Sequence, residues 1–70
     1  MDSFQAHPTP MGWELTELKS GQTVLRTLTK DEMLNELDHF MAGRTATVEV
    51  LNRSGAVEET RPYPGSHHQL

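Results

Sequence analysis

The 70-residue chain has no cysteine. Without it a disulfide framework, a thiolate zinc site and an iron–sulfur cluster are excluded, and nothing points to an oxidising compartment. Aromatics are scarce, one Trp, one Tyr and two Phe, so no aromatic-and-basic stripe of the kind found on RNA-binding sheets can be assembled. Long apolar runs are missing as well. No window approaches the roughly 18 apolar residues of a membrane span, and Met1 to Gln5 shows neither a basic n-region nor an apolar h-region, so a cytoplasmic protein with no membrane partner is expected. Positive charge is in deficit, six Lys and Arg against ten Asp and Glu for a net charge of −4. That balance opposes indiscriminate binding to phosphate backbones, which is driven by cationic counterion release.

Catalytic groups are equally sparse. There is no Gly-x-Ser-x-Gly elbow and no glycine-rich phosphate loop, and the glycines are spread along the chain at Gly12, Gly21, Gly43, Gly55 and Gly65. With no convergent set of reactive side chains, neither an enzyme nor a cofactor is expected. Glu36 and His39 have the Glu-x-x-His spacing of helical di-metal sites, but such sites draw further ligands from neighbouring helices and this chain has one helix to offer. His7, His67 and His68 do not form a specific metal site either, so no metal is expected.

What is present is organised as a middle with two polar ends. Residues 1–10 contain Ser3, His7, Pro8, Thr9 and Pro10, and residues 62–70 contain Pro62, Pro64, Gly65, Ser66, His67, His68 and Gln69. Both are expected to be flexible tails, because X-Pro steps favour extended chain and neither end has enough apolar side chains to offset the entropy of ordering. The domain is then residues 11–61.

A helix is specified from Lys30 to Ala42. Thr29 and Glu32 have the spacing of a capping box, and Leu28 and Met33 are placed for a hydrophobic staple. Met33, Leu34, Leu37, Phe40 and Met41 share one face at helical periodicity, with Gly43 as terminator. On each side lies a hairpin pattern around a Ser-Gly turn, 13–28 and 45–61. The order ββαββ predicts a two-layer α+β domain: a four-stranded antiparallel sheet with the helix on one face. Pairing Leu18 with Thr23 and Val50 with Val57 places Trp13, Leu15, Val24, Leu28, Ala46 and Val48 toward the helix. Leu18, Leu25 and Leu51 then face outward.

Two surfaces result. Outward Leu18, Leu25 and Leu51 are a candidate partner surface, since contiguous exposed apolar patches mark contact sites. Asp31, Glu32, Glu36 and Asp38 make an acidic helix surface that can meet a basic protein or imitate a phosphate backbone. A chain this short buries only about 60% of its unfolded surface, which favours support from a second copy. The expected function is therefore that of a small non-enzymatic accessory or regulatory protein acting through protein–protein contacts as a homodimer, of the kind encoded by short bacterial or phage reading frames. The alternatives are a nucleic-acid-binding regulator using the hairpin tips Lys19 and Arg53, which the net charge disfavours, and an acidic-helix inhibitor that mimics nucleic acid.

Overall fold

A computed structural model describes residues 2–63. It is an α+β fold with one helix on one face of a sheet, in the order β1 (Asp2–Thr9), β2 (Gly12–Glu17), β3 (Gln22–Thr27), α1 (Lys30–Phe40), β4 (Ala46–Leu51) and β5 (Val57–Tyr63). The sheet has five strands, ordered β3-β2-β1-β4-β5. It is also mixed. β1 is antiparallel to β2 but parallel to β4, with Phe4 opposite Val48 and Ala6 opposite Val50.

The four-stranded antiparallel sheet is thus corrected by one strand, and that strand is the segment expected to be a tail. Phe4 and Ala6 are fully buried while Ser3, Gln5 and His7 alternate with them, the two-residue period of a strand with one buried face. The prolines that suggested a tail are accommodated by position. β4 pairs with β1 only as far as Ala6, so Pro8 lies where β1 has β2 as its sole neighbour, and a missing N–H is tolerated on an unpaired edge. At the other end Pro62 and Tyr63 belong to β5, which extends the domain past Arg61. The rest of the second expected tail, from Pro64 onward, lies outside the described residues.

The helix begins as its sequence dictates. Thr29 Oγ1 accepts from the Glu32 amide at 3.1 Å, and Glu32 Oε1 accepts from the amides of Thr29 at 3.3 Å and Leu28 at 3.0 Å. Reciprocal capping of this kind satisfies amides that have no intrahelical acceptor. The helix ends two residues earlier than expected, at Phe40, with Met41 as C-cap. Met33, Leu37 and Met41 are buried against Phe4, Ala6, Leu15, Ala46, Val48 and Val50, and Tyr63 closes the core at the β5 end. The staple is absent: Met33 is buried, whereas Leu28 is 78% exposed.

Register departs from expectation at two bulges. In the first hairpin Leu15 pairs with Leu25 and Thr16 with Thr23, leaving Val24 as the extra residue; in the second, Val50 pairs with Glu59 and Leu51 with Val57. A bulge sets two residues against one and turns the following side chains to the other face. Leu25 is accordingly turned toward the helix side, where it packs with Trp13 and Val24 against the core.

Candidate docking surface

The three leucines expected to form one outward patch are not brought together. Leu25 is on the helix side of the sheet. Leu18, 44% exposed, follows β2 at the end where its amide donates to the Ser3 carbonyl. Leu51 is half-buried at the opposite end, where β4 has passed its last pairing with β1. Between them the outer face is polar and cross-linked from strand to strand. Gln5 donates to Glu49 at 3.0 Å, His7 Nε2 lies 3.1 Å from Thr16 Oγ1, and Arg26 pairs with Glu14 at 3.2 Å.

The basic hairpin tips are also separated. Lys19 follows the β2 end that pairs with Phe4, and Arg53 follows the β4 end beyond Ala6, so the two cations stand at opposite ends of the sheet.

The acidic helix residues divide into two classes. Glu32 is engaged in capping, and Asp38 accepts from the Tyr63 hydroxyl at 3.3 Å. Burial pushes the Tyr63 phenol above its ordinary pKa, the neighbouring Arg61 guanidinium opposes the shift, and the negative charge of Asp38 adds to it. Arg61 is itself raised, because Glu59 at 2.8 Å and Tyr63 together outweigh the opposing effect of burial. Asp31 and Glu36 make no hydrogen bond or ion pair among the described residues. Asp31 in the first turn is explained by the helix dipole. Glu36, past that turn, has no such explanation.

Glu36 faces a groove. α1 packs across β2 and β3, and alongside β3 there is an open depression of about 390 Å³, with Leu25, Arg26, Thr27 and Leu28 on the strand side and Glu32, Asn35 and Glu36 on the helix side. Against the backbone at its Leu28 end packs Gly12. This glycine takes φ +138°, and a Cβ there would overlap the Thr27 carbonyl oxygen and lie 3.1 Å from Leu28 Cα. The β1–β2 turn is thereby pressed onto the β3–α1 junction. Met11 and Leu28, 84% and 78% exposed, emerge from these two adjoining turns. Both are far more exposed than apolar side chains that serve a core.

Among the described residues no three His, Asp or Glu side chains come together to hold a metal ion, and no helix is long and apolar enough to cross a membrane. The groove residues are visible in the sequence only in part. Glu32 and Glu36 stand out as acids, whereas periodicity alone places Leu25 and Leu28 in the wrong environments, because neither the bulge nor the missing Leu28–Met33 staple leaves a local signature. No family model, curated protein or solved structure matches the chain.

Proposed function

We propose that the chain is a small non-enzymatic binding protein that acts through protein–protein contact, and that its docking surface is the groove between β3 and α1. The observation that carries this is the exposure of Leu28 at the mouth of a depression whose helix wall holds the unpaired Glu36. An apolar side chain and a carboxylate that contribute little to the fold itself are the kind of groups a partner can desolvate and pair.

The partner is better taken as a different protein than as a second copy. The homodimer expected from outward leucines loses its basis once Leu25 is on the helix side and Leu18 and Leu51 are at opposite ends. Two copies meeting groove to groove would set the Glu32 and Glu36 wall against itself, and like charges across an interface oppose association.

The test is site-specific photo-cross-linking in the native host. A benzoylphenylalanine replacing Leu28 is expected to join the chain to one partner protein, with the yield falling when Glu36→Lys is added. The same probe replacing Val57, which is 48% exposed on the opposite edge strand, is expected to give no such product. Equal yields from the two positions contradict the proposal.

A further inference from the structure

We infer that the occupant of the groove is an extended segment of the partner, with the pattern apolar-x-basic-x-basic, that adds antiparallel to β3 as a sixth strand. This rests on the groove being the contact surface and names what fills it.

Three features of the site converge on that occupant. β3 is an edge strand, so one side of its backbone carries N–H and C=O groups that no described strand pairs, and such an edge is a template for strand addition. The other edge strand, β5, contains Pro62, which withholds a donor and blunts that edge; β3 contains no proline, and its bulge at Val24 leaves Leu25 to Thr27, the stretch next to Leu28, as regular strand.

The second feature is spacing. Alternate residues of an added strand project to the same face about 6.6 to 6.8 Å apart. Glu32 and Glu36 are one helical turn apart, with about 5 to 6 Å between their Cβ atoms. Consecutive same-face side chains of the guest can therefore meet consecutive acids of α1, within the slack of long lysine or arginine stems.

Polarity along the groove is the third feature. α1 starts beside the end of β3, so the exposed Leu28 lies at one extremity, with Glu32 next and Glu36 beyond it. A guest antiparallel to β3 enters at the Leu28 end with its N-terminal portion. Read from its N-terminus it presents an apolar side chain to Leu28 and Leu25, then one cation to Glu32 and another to Glu36. Charge complementarity selects the cations: on the helix wall Glu36 is unpaired and Glu32 keeps Oε2 for a guest after Oε1 has taken the two capping amides, while Arg26 on the strand side is paired with Glu14.

The experiment is an amide-shift titration of the isotope-labelled full chain with the peptide acetyl-Thr-Leu-Thr-Lys-Thr-Lys-Thr-amide. Saturable shifts are expected along Gln22–Thr27 and at Glu32 to Glu36. Glu36→Gln should weaken binding about two- to fivefold, the scale of one exposed ion pair, and a peptide with Glu in place of both Lys should not bind. N-methylating alternate peptide amides distinguishes strand addition from side-chain docking. Methylation of the set facing β3 should abolish binding and methylation of the other set should not. If neither set matters while the groove still shifts, strand addition is overturned and the groove stands as the contact surface. If neither the Lys nor the Glu peptide shifts the groove while the Leu28 cross-link persists, the occupant is overturned alone; loss of both overturns the site.

Discussion

The Phe4 and Phe40 rings meet edge to face, 5.9 Å between centroids and 84° between planes. This contact joins β1 to the last turn of α1 and makes the N-terminal segment part of the core. Phe4→Ala is expected to cost about 3 to 5 kcal/mol, the range for removing a buried phenylalanine. Phe4→Leu keeps most of the burial and loses the ring contact, for a cost nearer about 1 kcal/mol. Urea unfolding of the two variants measures both. A Phe4→Ala variant as stable as the parent would return residues 1–10 to a tail.

Gly12 and Gly21 both have positive φ, +138° and +72°, but their surroundings differ: a Cβ at Gly12 meets the Thr27–Leu28 backbone, and one at Gly21 meets nothing within 4 Å. Gly21→Ala should therefore cost only the left-handed backbone penalty of about 1 to 2 kcal/mol. Gly12→Ala adds a steric displacement of backbone and should cost clearly more. Thermal unfolding of the pair reads the difference, and equal losses would contradict tight packing between the turn and the junction.

At the start of α1, Thr29→Ala removes the acceptor for the Glu32 amide and should cost about 1 kcal/mol. Because Thr29 and Glu32 cap each other, Thr29→Ala combined with Glu32→Ala should cost less than the two single losses added. Leu28→Ser, by contrast, should change stability by less than about 0.5 kcal/mol, as at a surface site. A large loss there would mean that the staple forms after all.

Tyr63 supplies a pH dependence whose sign is set by its environment. Its pKa is raised in the folded chain, so the native state holds the phenolic proton more tightly than the unfolded state. The associated stability is complete below the unfolded value of about 10 and is lost as pH rises through the folded value. Tyr63→Phe should remove that alkaline loss. As the only tyrosine in the sequence, its tyrosinate absorbance reports the titration directly.

How far the sequence reveals this fold depends on how local each cause is. The helix start is legible because Thr29 and Glu32 are three residues apart and act on each other. β1 is not, because its pattern contains a single large apolar residue, Phe4, with Ala6, and its proline is tolerated only through pairing partners distant in sequence. The position of Leu25 is hidden by the bulge opposite Leu15, which turns the strand's next side chains to the other face and leaves no mark in the local pattern. Of the groove, the acids are evident and the apolar floor is not, since that floor depends on how α1 lies over β3.

The groove exists as an open site only if β1 lies inside the sheet and β3 at its edge, and native-state amide hydrogen exchange measures that arrangement directly. Amides of Phe4, Gln5 and Ala6, flanked by β2 and β4, should be among the slowest in the chain, together with those of Val48. Along β3, amides turned away from β2 should exchange orders of magnitude faster than their neighbours and slow when the lysine peptide is bound. Fast exchange throughout residues 2–9, or protection of every β3 amide in the free protein, would contradict the account.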